Sequence, residues 1–334
     1  MIINKNYPWQ KTIWQRLMID KKRLPHALLL RGQSGIGKLN FAISLSQALL
    51  CEQVNSDHQA CGTCPSCGWF EQDNHPDFRL ISPEQDAGKE DEAGDKATKK
   101  KTQIVIDQIR GLSDFLSLSS HKSDGLRIAV IHPAEGLNAA AANALLKMLE
   151  EPPPNVVFVL VAHQAHKILP TIMSRCQKID MPVPSTEDAL DWMKKEGLQN
   201  AEALLSYAGG SPLMAIDEAE EGAHASIEIC KLLSFGSKTD VFQLTTACLS
   251  LGMENAISAL QKWCYDLLLC HFTQKVRYHQ NQDNTLKKLC LQLNLGEMLS
   301  FQKMLNDAKK SANHPLNNEL QLERLFFHYT QIFK

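Results

Sequence analysis

The 334-residue sequence predicts an α/β domain with a parallel sheet, followed by helical segments that continue to the C-terminus. The first half alternates short, continuous apolar runs with helical patterns, which is typical of covered parallel strands joined by helices. A glycine-rich turn separates the first apolar run from the first helical pattern, as in phosphate-binding α/β proteins. After Pro184 the sequence contains only helical patterns, so we expect an all-α C-terminal part.

The elements of the first half are predicted in chain order. Apolar runs predict strands over 27–30, 78–81, 127–131 and 156–161. Helical spacing predicts helices over 38–50, 104–118 and 138–151, and from 167 toward 175. The helix that begins at 138 should end before Pro152, because prolines lack the backbone donor that a helix needs. The YAGGSP run over 207–212 interrupts the later helical patterns and indicates a junction.

The segment 84–101 (EQDAGKEDEAGDKATKKK) differs from the rest of the chain, because it contains no large apolar residue. It cannot bury enough surface to offset its ordering entropy, so we predict a mobile, solvated loop. A charged docking tail is the functional alternative.

Charge and hydropathy exclude several classes of protein. The chain has 35 lysines and arginines against 37 aspartates and glutamates, a formal net charge of −2. This balance argues against a protein that binds nucleic acid through bulk positive charge. No run approaches the roughly 18 apolar residues of a membrane helix, and the N-terminus has no apolar signal-peptide region or cleavage site. We therefore expect a cytoplasmic protein without a membrane segment.

The turn after the first strand has the pattern of a phosphate loop, GQSGIGK, with Gly32, Gly35, Gly37 and Lys38 at its key positions. Its glycines let backbone N–H groups turn toward a phosphate, and the helix N-terminus and Lys38 add positive charge. The following position should be a serine or threonine that binds Mg²⁺, but it is Leu39. A glycine-rich turn kept only for folding is the alternative interpretation.

The strand over 127–131 should be followed by an acidic pair, one carboxylate for Mg²⁺ and one to activate water. His132 and Pro133 stand there instead, and Glu135 is the nearest acidic residue. Two independent features that handle Mg²⁺ are therefore missing. The sequence leaves ATP binding open and predicts that this chain does not hydrolyse ATP.

Four of the ten cysteines, Cys51, Cys61, Cys64 and Cys67, have the spacing C-x9-C-x2-C-x2-C. Four thiolates can enclose one Zn²⁺ in a closed tetrahedral site, so we predict a structural zinc. An iron–sulfur cluster is disfavoured, since the expected fourth cysteine of a ferredoxin run is replaced by Glu71. A set of free thiols is the remaining alternative.

Two further motifs carry a resemblance to a known family. The run ANALLKMLEEPP over 142–153 is very similar to the clamp-loader run ANALLKTLEEPP, and the SRC run over 174–176 matches a motif of the same family. With the zinc module and the HPD run over 75–77, the chain resembles AAA+ clamp-loader subunits of bacterial DNA polymerase III.

The resemblance implies an architecture of three domains. These are an AAA+ P-loop-like domain over 1–182 with the zinc module at 51–67, a small helical lid domain over 183–217, and a helical collar domain over 218–334 that serves oligomerisation. The implied partners are the delta and tau/gamma subunits in a hetero-pentameric ring, with the sliding clamp and primed DNA reached through the complex.

Departures from the family pattern favour a non-motor member. Leu39, His132, Pro133 and Leu213 stand in or near positions that the tau/gamma motor subunits use for the loop threonine, the acidic pair and a sensor arginine. An active motor subunit is the alternative, and a zinc-stabilised nucleic-acid-binding module is a third reading that the near-zero charge disfavours.

The resemblance also assigns a role to Arg175. The matching arginine of the family reaches across a subunit interface to the γ-phosphate of ATP held by a neighbour. We therefore expect an arginine finger that acts in trans. A surface arginine that caps its own helix C-terminus is the alternative.

Overall fold

The structure is a computed structural model that describes residues 6–19, 24–83, 103–117, 125–221, 223–311 and 317–334. The chain divides into two compact units, Met1–Ser185 and Thr186–Lys334. The predicted loop over 84–101 lies outside the described residues.

Five parallel strands form the sheet of the N-terminal unit. They are β1 (Ala27–Arg31), β2 (Phe78–Ile81), β3 (Arg127–Ile131), β4 (Val156–Ala162) and β5 (Gln177–Asp180). Their order across the sheet is β2-β3-β4-β1-β5, and all neighbours pair in parallel. The strand predictions for β1 to β4 are confirmed. β5 was not predicted, because it is a four-residue edge strand in which only Ile179 is buried.

Six α-helices accompany this sheet in the described residues. They are α1 (Lys11–Ile19), α2 (Lys38–Leu50), α3 (Pro65–Glu71), α4 (Ile106–Ser117), α5 (Ala139–Glu150) and α6 (Pro170–Arg175). The predicted start of α4 was two residues early, since Ile104 forms an isolated parallel bridge with Leu137. The Asn138 side chain caps α5 by accepting a hydrogen bond from the Ala141 N–H at 2.8 Å.

Alternation along the strands gives the sheet two apolar faces. Leu28 and Leu30 face one core together with side chains of α1 and α2. Ala27 and Leu29 face a second core together with side chains of α4, α5 and α6. Because side chains of a strand point alternately to opposite faces, continuous apolar runs such as β4 serve both cores. The result is a three-layer α/β/α unit that presents the carboxyl ends of its strands at one edge.

The described part of the second unit is built from helices. They are α7 (Thr186–Lys195), α8 (Ala201–Tyr207), α9 (Pro212–Glu221), α10 (Ala223–Leu233), α11 (Val241–Leu251), α12 (Met253–Thr273), α13 (Asp283–Cys290), α14 (Leu295–Ser311) and α15 (Asn318–Gln331). The helical C-terminal part is thus confirmed. The finer division at 217/218 stays a prediction, and α9 runs continuously across that position.

Buried aromatic groups join helices of the second unit. Trp263 on α12 donates its indole N–H to the Tyr329 hydroxyl on α15 at 2.8 Å, and that hydroxyl donates to the Leu233 carbonyl at 2.7 Å. The Trp263 indole N–H and the Tyr329 hydroxyl are thus both hydrogen-bonded inside an apolar core. Among the described helices, none combines the length and apolar character needed to cross a membrane.

Candidate phosphate loop and metal-binding cysteine cluster

The phosphate loop connects β1 to α2 at the carboxyl edge of the sheet. Gly35 and Gly37 have φ angles of +74° and +83°, which glycine adopts without the steric cost that a Cβ would bring. Lys38 is the first residue of α2. The structure therefore confirms the strand–loop–helix context that a phosphate-binding loop requires.

Lys38 is almost completely buried, with 2% of its surface exposed. Its Nζ donates hydrogen bonds to the backbone carbonyls of Gly32 at 2.8 Å and Gln33 at 2.5 Å. Burial lowers the pKa of the Lys38 ammonium to about 8, although the Glu135 carboxylate nearby acts in the opposite direction. The ammonium is thus held inside the loop.

A segment before α1 binds the outer side of the loop, a contact that the sequence analysis missed. Trp9 Nε1 and Gln10 Nε2 donate to the Ile36 carbonyl at 3.0 and 2.9 Å, and Gln10 Nε2 also lies 3.1 Å from the Gly37 carbonyl oxygen. The Tyr7 ring stacks on Trp9 with centroids 5.0 Å apart. Three residues separated from the loop by more than 20 positions thus fix its last turn.

We expect Gly37→Ala to destabilise the protein by about 2–4 kcal/mol. A Cβ at position 37 would lie 2.3 Å from Tyr7 Cε2, and the φ of +83° is unfavourable for any residue with a Cβ. The matched control is Gly111→Ala on α4, where a Cβ meets nothing within 4 Å. That control should gain about 0.5–1 kcal/mol. Urea unfolding measures both changes, and equal stabilities of the two variants would contradict the described packing.

Histidines occupy the ends of β3 and β4 beside the loop. His132 follows β3 and His163 follows β4, and their Nε2 atoms are 3.0 Å apart. Burial lowers the pKa of both rings, that of His163 to about 4 with a further contribution from the Lys38 charge. His163 was not singled out from the sequence, although a polar residue directly after a buried parallel strand could have indicated it.

The Glu135 carboxylate is hydrogen-bonded to the backbone that follows β4. It accepts hydrogen bonds from the N–H groups of His163 at 2.9 Å and Gln164 at 3.0 Å. Leu39 packs against the core on the α1 and α2 face of the sheet. Leu39 and His132, which stand where an active phosphate-loop enzyme has a hydroxyl and a carboxylate, therefore offer no side-chain oxygen to Mg²⁺, which prefers oxygen ligands.

The cysteine cluster brings four sulfurs together, as predicted. All four Sγ atoms of Cys51, Cys61, Cys64 and Cys67 lie within 4.8 Å of one another. The separations are 3.9 Å for Cys51–Cys64, 3.9 Å for Cys61–Cys67 and 3.8 Å for Cys51–Cys67. Four sulfurs placed tetrahedrally at about 2.3 Å from one ion would be about 3.8 Å apart. The cluster could therefore hold a metal ion.

Backbone donors surround one sulfur of the cluster. The N–H groups of Thr63 and Cys64 lie 3.4 and 3.3 Å from Cys61 Sγ. These hydrogen bonds, that of Thr63 first, lower the pKa of the Cys61 thiol to about 6. Burial raises the pKa of Cys67. Hydrogen bonds to a ligating sulfur are typical of thiolate metal sites.

The cysteine module is attached to the sheet by buried polar residues. Ser66 on α3 donates to the Leu50 carbonyl at 2.9 Å, and its Oγ is also 2.9 Å from His75 Nε2. His75 Nδ1 accepts the Asp77 N–H at 3.0 Å, and Asp77 forms an ion pair with Arg127 of β3 at 3.5 Å. The HPD run over 75–77 thus links the module to the sheet.

Arg175 is the last residue of α6 and does not belong to the cysteine module. Its Nη2 forms an ion pair with Glu150 Oε1 at 2.7 Å, and its Nη1 donates to the Thr171 carbonyl at 3.0 Å. The side chains of Arg175 and Glu150 are 36% and 48% exposed. The guanidinium therefore lies at the surface and is paired with a carboxylate of the same chain.

Comparison with known proteins gives consistent results. The family model described as "DNA polymerase III, delta subunit" matches residues 9–185. The chain is 36% identical over 213 residues to "DNA polymerase III subunit delta'" of Pseudomonas aeruginosa, covering 63% of this chain and 60% of that relative. The relative of the same name in Escherichia coli is 30% identical over 270 residues, covering 79% of this chain and 75% of the relative.

These alignments differ in length. The matches span about three fifths of the length of the first curated relatives, 60% in Pseudomonas aeruginosa and 62% in Haemophilus influenzae. Structural similarity covers more of the chain than these sequence alignments do. A structure of a DNA polymerase III gamma subunit-related protein from Thermotoga maritima superimposes with a TM-score of 0.51 at 21% identity, covering 97% of this chain and 99% of that chain. The predicted AAA+ fold is confirmed.

Proposed function

The chain belongs to the family of DNA polymerase III subunit delta', and from this membership we propose that it is a non-motor subunit of the DNA polymerase III clamp loader. In this role it helps load the sliding clamp onto primed DNA during replication, in the cytoplasm. Its partners are the delta and tau/gamma subunits in a hetero-pentameric ring. It has no ATPase of its own, although it is part of a DNA-directed DNA polymerase holoenzyme.

Leu39, His132 and Pro133 stand at the positions that should supply Mg²⁺ with side-chain oxygens, and this observation carries the proposal. Leu39 is half-buried and packs against the core, His132 contacts His163, and the Glu135 carboxylate accepts two backbone N–H groups. Phosphoryl transfer depends on a metal that bridges the phosphates and on a group that orients the attacking water. In this proposal the chain lacks these groups and does not hydrolyse ATP.

We expect the isolated chain to release no phosphate from ATP above the buffer rate, with or without primed DNA. The physical reason is the missing magnesium ligands beside an otherwise formed phosphate loop. A coupled phosphate-release assay measures the rate, and Lys38→Ala is the control for any contaminating activity. Turnover that disappears in Lys38→Ala would overturn the proposal.

The alternative function is an active motor subunit of the same clamp loader. The preserved loop favours it, since Gly35 and Gly37 adopt left-handed φ angles and Lys38 is held inside the turn. The same assay decides between the two functions, because a motor subunit must turn over ATP.

Arg175 supplies the neighbouring subunit with a positive charge in this proposal. An exposed ion pair such as that with Glu150 contributes only about 0–1 kcal/mol, so the guanidinium is released at little cost. A planar guanidinium suits the γ-phosphate, because it can donate two parallel hydrogen bonds. The position at the end of α6 keeps the side chain at the surface, where a neighbour's ATP could reach it.

The ion of the cysteine cluster is zinc in this proposal, and its role is structural. Four thiolates satisfy the tetrahedral coordination of Zn²⁺ and leave no open position for a substrate. The segment between Cys51 and Cys67 is mostly exposed and contains no helix or strand before α3 begins at Pro65. A bound ion would therefore replace the core that this module lacks.

A further inference from the structure

Two buried cysteines of the second unit lie in contact with each other, outside the metal-binding cluster. Cys270 on α12 and Cys290 on α13 have no exposed surface, and their Sγ atoms are 3.3 Å apart. A disulfide bond is about 2.05 Å long, so the two sulfurs need to approach each other by only about 1.3 Å. The two helices therefore hold a pair of thiols at a separation from which a covalent bond can form.

A backbone contact holds Cys290 against α12 independently of its sulfur. The His271 ring on α12 donates from Nδ1 to the Cys290 carbonyl at 2.9 Å, because a carbonyl can only accept. The Cys290 thiol donates to the Lys287 carbonyl at 3.3 Å, so its sulfur accepts the proton of the Cys270 thiol. The position of Cys290 is thus set by a hydrogen bond that a disulfide would not break.

The connection between α12 and α13 is fixed by a buried carboxylate. Asp266 on α12 has no exposed surface. It accepts the N–H groups of Arg277, Tyr278 and His279 at 2.9, 3.0 and 2.8 Å. The His279 ring also donates from Nδ1 to this carboxylate at 2.8 Å. Because the connection is already ordered, the two sulfurs can join without a change in the path of the chain, and little entropy is lost.

Burial protects the thiols while the core is closed. It raises the pKa of the Cys270 thiol to about 12, and the neighbouring Cys290 acts in the same direction. The thiolate is the reactive form, so oxidation requires the helices to open locally. Cys290 is the last of the eight residues of α13 and precedes Leu291, which is 78% exposed. The end of such a short helix opens more easily than the centre of a core, and this opening admits a small oxidant.

We propose that Cys270 and Cys290 form a modification site at which hydrogen peroxide oxidises the two thiols to a disulfide. The Cys290 thiolate attacks a peroxide oxygen, so an S–O bond forms, the O–O bond breaks, and the departing hydroxide takes up a proton to become water. Cys270 then attacks the Cys290 sulfur. The S–S bond forms, the S–O bond breaks, and the second hydroxide leaves as water with the Cys270 proton. The thiols lose two electrons in total, and these reduce the peroxide to two molecules of water.

The disulfide would tie α13 to α12 and stabilise the helical unit. It closes a loop of about 20 residues, which restricts the unfolded chain. A thiol reductant reverses the bond by exchange, so the modification is reversible. The site includes neither the phosphate loop nor the cysteine cluster, and the proposal holds whether or not the chain hydrolyses ATP.

Peptide mapping by mass spectrometry, after the full chain is treated with hydrogen peroxide, tests the proposal. We expect one pair of peptides joined through Cys270 and Cys290, which dithiothreitol separates again. Cys270→Ser should prevent the cross-link and leave a sulfenic acid at Cys290 that dimedone traps. After the same treatment, the wild-type chain should melt several degrees above Cys270→Ser, because only the wild type gains the cross-link.

Cys264→Ser is the matched control. Cys264 lies six residues earlier on α12 and is equally buried, so its replacement perturbs the same core but should leave the cross-link unchanged. Circular dichroism checks folding, and Cys270→Ala is the second variant if the serine is not tolerated. The wild-type map decides the proposal by itself if neither variant folds.

Three results on the wild-type map would overturn the proposal. The first is no peptide pair joined through Cys270 and Cys290 although the cysteines of the cluster are oxidised, which shows that the oxidant was active. The second is a cross-link from either residue to another cysteine. The third is a cross-link that forms only after urea has unfolded the chain, because the folded helices would then not supply the pair.

Discussion

Arg175→Ala is expected to reduce ATP hydrolysis about 10³-fold at the one neighbouring site that receives the guanidinium in a reconstituted clamp loader. Arginine fingers contribute about 10³–10⁵ to the rate in small GTPases, because they offset charge that develops on the transferred phosphoryl group. DNA-stimulated phosphate release, measured under single-turnover conditions so that the sites of the ring are separated, tests the expectation. The variant chain itself should remain folded and should assemble, since its lost ion pair is exposed.

Glu150→Gln is the matched control for Arg175→Ala. It removes the internal partner of the guanidinium but leaves the arginine in place, so hydrolysis in the complex should be retained. Arg175→Lys keeps the charge and loses the planar fork, so we expect it to restore only part of the rate. Equal rates for wild type and Arg175→Ala would contradict the finger. Equal losses in Arg175→Ala and Glu150→Gln would assign the effect to the ion pair instead.

Removal of metal is expected to unfold the cysteine module and to destabilise the N-terminal unit by several kcal/mol. Structural zinc sites in small peptides bind with about 10–16 kcal/mol, and this binding free energy is largely folding free energy. Cys64→Ser should therefore abolish metal retention, lower the melting temperature and expose residues 51–77 to proteolysis. Metal analysis of the purified wild-type chain should give one zinc per molecule.

Cys176→Ala serves as the control for Cys64→Ser. Cys176 is a buried cysteine in the core beside α5 and α6 and lies outside the cluster. Its replacement should cost some stability but should leave the zinc content unchanged. A wild-type chain without metal, or with the visible absorbance of an iron–sulfur cluster, would contradict structural zinc. Unchanged melting of Cys64→Ser would show that the ion does not support the fold.

The strands and cysteine ligands could be predicted because their signals are local. A continuous β-branched run such as 156–161 is typical of a covered parallel strand, and x2 spacings bring cysteines together over a single turn. β5 was not predicted, because only one of its four residues, Ile179, is buried and a single apolar residue shows no strand alternation. The start of α4 was predicted too early because Ile104 forms a bridge with Leu137. The two residues are 33 positions apart, so the local sequence around Ile104 does not indicate this contact.

The candidate phosphate site was predicted in part. Its loop could be found from spacing, and its missing oxygen ligands could be found from the residues after β3. The contacts of Trp9 and Gln10 could not, since they join segments more than 20 residues apart through side chain-to-backbone hydrogen bonds. The pairing of His132 with His163 likewise depends on β3 and β4 being neighbours in the sheet, which only the strand order establishes.

Helix α2 joins the two candidate sites directly. It begins at Lys38 in the phosphate loop and ends at Leu50, one residue before Cys51. Thirteen residues at about 1.5 Å each give a helix about 20 Å long. A metal ion bound by the cysteines would anchor the C-terminal end of α2 through Cys51. The two ends of this one helix therefore set the distance between the glycine-rich turn and the thiol cluster.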